Sequence, residues 1–102
     1  MYESSVSCDT NAILDELICP LPLDCHVHLR DGNALQDTAS CAARSFAAIV
    51  VMPNLVPPVL SVTDALQYKS RIDRFSSDKM QAFFALYLTD ATTYVVIHGS
   101  VK

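Results

Sequence analysis

Apolar positions change their spacing along this chain, and the changes predict three strands. Residues 22–28 begin at a proline, which a strand tolerates at its start but not in its middle, and predict the first strand. Residues 47–52 are all apolar and predict a second strand with both faces buried, as in a parallel sheet covered by helices. Residues 81–88 predict a third strand, with Thr89 and Asp90 at its carboxyl end.

The stretches between these strands carry apolar residues at helical spacing. A helix is predicted over residues 34–46, after the turn-forming residues 31–33, and a second one follows Ser61 and Asp64, which have the spacing of a capping box. The apolar positions are Leu35, Ala39, Ala42 and Phe46 in the first helix and Ala65, Tyr68, Ile72 and Phe75 in the second. Tyr68, Phe75 and the pair Phe83 and Phe84 are predicted to lie in the core.

The order strand, helix, strand, helix, strand predicts an α/β fold with parallel strands and right-handed crossovers. Both half of a doubly wound sheet and the opening of a (β/α)8 barrel have this order. Spacing alone does not choose between them.

Composition narrows the class of protein. Of the 102 residues, 51% are hydrophobic and 18% are charged, which is typical of a folded globular chain. The net charge of −4 without a basic run argues against a nucleic-acid surface, and no apolar stretch approaches the ~20 residues of a membrane helix. The acidic first 15 residues fit neither a secretory signal nor a transit peptide, so a cytoplasmic protein with no membrane partner is expected.

The strongest candidate chemistry lies at the end of the first strand. Strand alternation would place His26, His28 and Arg30 on one face, where two imidazoles can converge on one zinc ion. Arg30 could then hold a carboxylate with two hydrogen bonds. The alternative is that both histidines are ordinary surface residues, but active sites of parallel α/β folds gather at this end of the sheet.

Other candidates are weaker. Asn54, at the same end of the second strand, suits the orientation of an amide or carboxylate, although by itself it is better interpreted as a loop cap.

None of the four cysteines, Cys8, Cys19, Cys25 and Cys41, forms a CxxC pair, and all are expected to be reduced. A structural zinc site that joins Cys19 and Cys25 to the histidines is conceivable. Cys25, however, alternates with the histidines and should point to the opposite face.

Three stretches together carry a family resemblance. Residues 24–32, DCHVHLRDG, resemble the N-terminal signature of the dihydroorotases, which belong to the amidohydrolase superfamily. Residues 49–59, IVVMPNLVPPV, resemble the second conserved block of the bacterial-type single-domain enzymes, and residues 86–90, LYLTD, are similar to the end of their third strand. The blocks stand in the family's order, and the resemblance covers about residues 21–93.

This resemblance implies a (β/α)8 barrel with two zinc ions, of which residues 21–93 would supply the first three strands and two helices. His26 and His28 would be ligands of the more buried zinc, and Arg30 and Asn54 would bind the substrate carboxylate. The implied reaction is the reversible interconversion of N-carbamoyl-L-aspartate and dihydroorotate in pyrimidine biosynthesis. In the family, a hydroxide between the two metals attacks the ring amide, and an aspartate from the last strand carries the proton.

Other parts of the chain depart from the family pattern. Residues 94–102 do not resemble what should follow, Lys102 comes too early for the bridging carboxylated lysine, and His98 does not map onto the later zinc histidines. A (β/α)8 barrel takes about 250 residues. The expectation is therefore a polar lead-in over residues 1–20, a truncated and inactive barrel segment with a marginal fold over 21–93, and a divergent tail over 94–102.

Two alternatives remain open from the sequence. One is a non-catalytic product that acts by pairing an open sheet edge with another chain. The other is a small α/β metal-binding module, in which His98 or a cysteine completes the site. Many dihydroorotases are dimers, so a homodimer is also possible.

Overall fold

The computed structural model describes residues 16–76 and 78–100, and it contains the predicted alternation of strands and helices. Most of the predicted lead-in, together with Cys8 and Lys102, lies outside the described residues. In these ranges the elements are β1 Leu23–Val27, α1 Leu35–Ser45, β2 Ala48–Val51, α2 Val62–Asp73, β3 Gln81–Phe84 and α3 Tyr94–Ser100, with a 3-10 turn, Gly32–Ala34, before α1.

The three strands form one parallel sheet in the order β1-β2-β3. Val51 at the end of β2 pairs with Val27 of β1 and with Phe84 of β3, so the carboxyl ends of all three strands meet at one edge. Parallel pairing of consecutive strands requires a crossover, and α1 and α2 supply the two crossovers. The predicted α/β class with parallel strands is confirmed.

The core lies between the sheet and the two crossover helices. Ile49 and Val51 of β2 are each 1% exposed, and they belong to one buried cluster with the apolar faces of α1 and α2. The buried members are Leu29, Leu35, Ala39, Ala42, Ile49, Val51, Val59, Tyr68, Ile72 and Met80. The predicted helical stripes are therefore confirmed as the surfaces that pack on the sheet.

The opposite face of the sheet is not covered by the described residues, which corrects two predictions. Burial alternates along β2, with Ala48 and Val50 half-buried, so the strand is not buried on both faces. Phe83 of β3 is 51% exposed, although a core position was predicted for it. The physical reason is that both helices pack on the Ile49 face. We call this second surface the open face of the sheet.

A capping box fixes the start of α2, as predicted. The Ser61 hydroxyl accepts a hydrogen bond from the Asp64 backbone N–H at 3.2 Å, and the Asp64 carboxylate accepts from the backbone N–H groups of Leu60 and Ser61 at 3.1 and 3.2 Å. These contacts satisfy donors that a helix start leaves without partners. The helix axis, and with it the position of Tyr68, is therefore defined from its first turn.

The last part of the described chain differs from the pattern. β3 ends at Phe84 rather than at residue 88, but two backbone bonds continue beyond it: Ala85 N–H donates to Val51 at 3.0 Å, and Tyr87 N–H donates to Val59 at 2.8 Å. Residues Tyr94–Ser100 form α3, which packs on α2 and had no counterpart in the predicted elements. Within residues 16–76 and 78–100, we find no helix of a length and apolarity that would let it cross a bilayer.

Candidate metal and carboxylate site

The candidate residues gather where β1 and β2 end. Met52 N–H still donates to the Val27 carbonyl at 2.9 Å, and beyond that bond the two chain segments separate into loops. Arg30 and Asn54 each lie three residues beyond the paired Val27 and Val51. The parallel register therefore brings both residues to the edge of the sheet at which β1 presents its histidines.

His26 and His28 converge on one point. Their Nε2 atoms are 3.2 Å apart and their ring centroids are 5.1 Å apart. Leu29 is buried in the core and Val27 packs against it, so the histidines, which alternate with them, face the open side of the sheet. β1 is irregular here, with the His26 backbone N–H donating to the Asp24 carboxylate at 3.0 Å.

This separation fits two ligands of one zinc ion. Two nitrogen atoms at usual zinc distances and a tetrahedral angle lie about 3.3 Å apart. Without metal, the same contact is a hydrogen bond in which one ring donates and the other accepts. His26 and His28 therefore have the donor chemistry and the spacing for half of a zinc site.

The described residues do not supply a third ligand. Residues 16–76 and 78–100 contain no group of three or more histidine, cysteine or acidic side chains that could hold a metal. Cys19 and Cys25 are exposed, and the structural zinc site that would join them to the histidines is therefore not formed there. His98 lies in α3, where its ring stacks on Tyr94 with centroids 5.5 Å apart.

Arg30 continues the alternation of exposed and buried residues that runs past β1 through His28 and Leu29, and its position on the face of the histidines stays a prediction. The backbone leaves the strand conformation there, because Arg30 has a φ of 64°, in the left-handed region that few residues with a Cβ adopt. Its side chain is exposed, and the described part of the chain offers its guanidinium no hydrogen-bond or ion-pair partner.

Asn54 stands exposed after the buried Pro53. The Pro53 carbonyl accepts backbone hydrogen bonds from Leu55 at 2.9 Å and from Val59 at 3.1 Å, so main-chain bonds close this loop. Among the residues described, the Asn54 amide caps nothing, and the loop-cap alternative therefore gains no support. The Asn54 side chain is available to a ligand.

Sequence reasoning missed a cluster of polar contacts behind Arg30. The Tyr68 hydroxyl donates to the Arg30 carbonyl, and Arg71 binds the Asp31 carboxylate through Nε to Oδ1 at 3.1 Å and Nη2 to Oδ2 at 2.8 Å. The Arg71 guanidinium also lies 5.3 Å from the centre of the Tyr68 ring. The sequence offered only a general indication of these contacts, because a tyrosine predicted to be buried usually finds a hydrogen-bond partner for its hydroxyl.

The cluster shifts two pKa values in opposite directions. Burial, together with the negative charge of Asp31, raises the pKa of Tyr68 to about 12, against the opposing charges of Arg71 and Arg30. Partial burial alone would raise the pKa of Asp31. The hydrogen bonds from Arg71 and from the Gly32 backbone, with the Arg71 charge, outweigh it and hold that pKa below its ordinary value.

The Tyr68 hydroxyl is expected to ionise with a midpoint of about pH 12. Because the folded state holds this proton more tightly, the contribution to stability is complete below the unfolded pKa of about 10 and is lost as the pH rises toward 12. A spectrophotometric titration of phenolate absorbance measures the midpoint, and Tyr68→Phe should remove the late phase. If the phase that Tyr68→Phe removes had a midpoint near the ordinary tyrosine value of about 10, the expectation would be contradicted.

Comparison with known proteins gives one consistent result. The dihydroorotase of Azotobacter vinelandii is 47% identical over 81 residues, which are 78% of this chain and 23% of that enzyme. The dihydroorotase crystal structure from Campylobacter jejuni matches 79% of this chain and 24% of its own, with 33% identity and a TM-score of 0.72. No family profile matches the chain.

A third match extends the agreement to a liganded enzyme. The dihydroorotase of Saccharomyces cerevisiae, solved in complex with 5-fluoroorotic acid, is 26% identical, with a TM-score of 0.70 over 78% of this chain and 22% of its own. The chain thus spans about a quarter of the length of the relatives that it matches. Sequence and fold together confirm the resemblance that the three motifs indicated: this chain is similar to a segment of the dihydroorotases, about a quarter of their length.

Proposed function

We propose that this chain supplies the first part of a dihydroorotase active site, for the reversible interconversion of N-carbamoyl-L-aspartate and dihydroorotate in pyrimidine biosynthesis. The observation that carries the proposal is the convergence of His26 and His28 at the carboxyl end of β1. Arg30 and Asn54 lie beyond the paired ends of β1 and β2, and both have unengaged side chains among the described residues. The similarity to dihydroorotases supports the same assignment.

In this proposal, His26 and His28 hold one of the two zinc ions of the family. Zinc, when bound, polarises a carbonyl oxygen and lowers the pKa of its water ligand, so that a hydroxide is present near neutral pH. The imidazoles must be neutral to bind a metal, and their position on the open face leaves room for further ligands. Two imidazoles are half of a tetrahedral set, and among the described residues no third histidine, cysteine or acidic side chain is grouped with them.

Arg30 and Asn54 bind and orient the substrate. The Arg30 guanidinium can donate two parallel hydrogen bonds to a carboxylate, which fixes both its position and its plane. The Asn54 amide can donate to the same carboxylate or accept from a ring N–H. Both substrates carry a carboxylate, so these contacts would hold the reacting amide in one orientation relative to the histidines.

We further propose that the sheet is the first part of a (β/α)8 barrel. The histidines and the half-buried side chains of β2 lie on the open face, which would become the barrel interior. Active sites of such barrels lie at the carboxyl ends of the strands, which is where the candidate residues are found. By itself the segment lacks a third metal ligand among its described residues, and we expect no turnover from these 102 residues alone.

Binding of N-carbamoyl-L-aspartate to the full chain tests the proposed carboxylate site. Titration followed by isotope-edited NMR should shift the signals of residues near Arg30 and Asn54. Arg30→Lys should weaken binding by about tenfold, because lysine keeps the charge but loses the two-pronged geometry. Arg74→Lys, at an exposed position after α2, is the matched control and should leave affinity unchanged.

Two results would contradict this assignment. Equal affinities of wild type and Arg30→Lys would remove Arg30 from the site. Measurable conversion of N-carbamoyl-L-aspartate by the purified chain would show that it is not an incomplete site.

A further inference from the structure

The three residues that follow the histidines are each anchored to a different group on the crossover helices. Thr38 of α1 donates its hydroxyl hydrogen to the Leu29 carbonyl at 2.6 Å. The Tyr68 hydroxyl of α2 donates to the Arg30 carbonyl, and Arg71 of the same helix binds the Asp31 carboxylate with two hydrogen bonds. Three consecutive residues after His28 are therefore held by side chains of α1 and α2.

These contacts fix the backbone on both sides of the Arg30 Cα. Thr38 holds the peptide group on the N-terminal side of the Arg30 Cα, and Tyr68 holds the peptide group on its C-terminal side. With both peptide planes fixed, the direction of the Cα–Cβ bond is fixed as well. The φ of 64° is disfavoured for a residue with a Cβ, so it persists where surrounding contacts impose it.

The Asp31–Arg71 pair has a second effect on Arg30. Asp31 is the immediate neighbour of Arg30, and a free carboxylate at that position would compete with a ligand for the Arg30 guanidinium. Both Asp31 oxygens instead accept hydrogen bonds from the Arg71 fork. The Asp31 carboxylate, which could otherwise pair with Arg30, is therefore bound to Arg71.

Tyr68 and Arg71 support each other. The Tyr68 ring is fully buried in the core and makes an edge contact with Phe84, with centroids 6.1 Å apart. Arg71 lies over this ring and is tied to Asp31, so the contacts close a cycle through α2 and the turn after β1. Movement of the turn would disturb several contacts at once.

We propose that Tyr68 and Arg71 are positioning residues, which hold Arg30 in its left-handed conformation and keep its guanidinium free and directed for a ligand carboxylate. The carboxylate part of this inference rests on the proposed function. The conformational part rests on the contacts alone. The two parts can therefore be tested separately.

Tyr68→Phe tests the conformational part, because it keeps the buried ring and removes the hydroxyl. We expect amide hydrogen exchange at residues 30–32 to rise by about tenfold, and the three-bond coupling of the Arg30 amide to leave its left-handed value. Tyr87→Phe, the same change at an exposed position, should alter neither. Unchanged exchange and coupling in Tyr68→Phe would overturn the proposal.

Arg71→Ala is a second variant, which keeps the Tyr68 hydroxyl and removes the hydrogen-bond partner of Asp31. It frees the Asp31 carboxylate, so it should weaken binding of N-carbamoyl-L-aspartate by about tenfold. Lys69→Ala breaks the exposed ion pair with Asp73 on the same helix and should not affect binding. Undiminished binding in both Tyr68→Phe and Arg71→Ala would overturn the positioning role. The measurements of amide coupling and hydrogen exchange need no ligand. If the wild-type chain does not bind N-carbamoyl-L-aspartate, that result contradicts the proposed function and not the conformational part of this inference.

Discussion

Replacement of Ile49 by alanine is expected to lower the free energy of unfolding by about 2–5 kcal/mol. Ile49 is 1% exposed and lies in the central strand, where it contacts the cluster formed with α1 and α2. Truncation removes buried methyl and methylene groups and leaves a cavity that the paired neighbours, Asp24 and Ala82, cannot close by moving independently. A loss of this size is a large part of the total stability of a small domain.

Val50→Ala is the matched control for this prediction. Val50 is the next residue of the same strand but is half-buried on the open face, so its truncation should cost about 1 kcal/mol. Urea unfolding followed by circular dichroism measures both variants under one set of conditions. Equal losses would mean that the open face is packed as tightly as the helix face, contrary to the described fold.

Replacement of either His26 or His28 by alanine is expected to lower the zinc affinity of the chain by at least about tenfold. The two Nε2 atoms are 3.2 Å apart and, in the described residues, have no third ligand nearby. Loss of one imidazole therefore leaves a single ligand. The affinity that is gained when two ligands of one chain bind the same ion is then lost. Competition with a chromophoric chelator measures the affinity.

His98→Ala separates this site from the alternative of a small metal-binding module. His98 is exposed in α3 and stacks on Tyr94, and its replacement should leave zinc affinity unchanged. A decrease equal to that of His26→Ala would mean that His98 completes the site. The assignment of His26 and His28 as one half of a dihydroorotase metal centre would then be wrong.

Local patterns predicted the order of elements well, for physical reasons. The stripe that contains Leu35 and Ala39 and the capping box at Ser61 are encoded within one or two helical turns, and both are found. The apolar run at residues 47–52 correctly marked the central strand. The apolar run could not show that one face of β2 is left uncovered, because the residues of a strand do not determine on which side of the sheet the helices pack.

For the candidate site, the sequence predicted that the two histidines meet but not which contacts lie behind Arg30. The spacing of His26 and His28 on a strand was enough to expect their convergence. The conformation of Arg30 depends on Tyr68, which is 38 positions away, and the partner of Asp31 is 40 positions away. Such contacts form when α2 packs on the sheet, and no local pattern encodes them.

The order β1-β2-β3 has a consequence for how the chain acquires its structure. Each strand pairs with the next strand along the chain, and one helix lies between them, so no pairing waits for a distant segment. The entropy that is lost when a loop closes grows slowly with the length of the loop. The helix between two strands therefore adds little to the entropic cost of pairing them. Pairing of β1 with β2 therefore needs only residues 23–51, whereas the buried cluster around Ile49 also includes Tyr68 and Ile72 of α2 and is complete only when α2 is present.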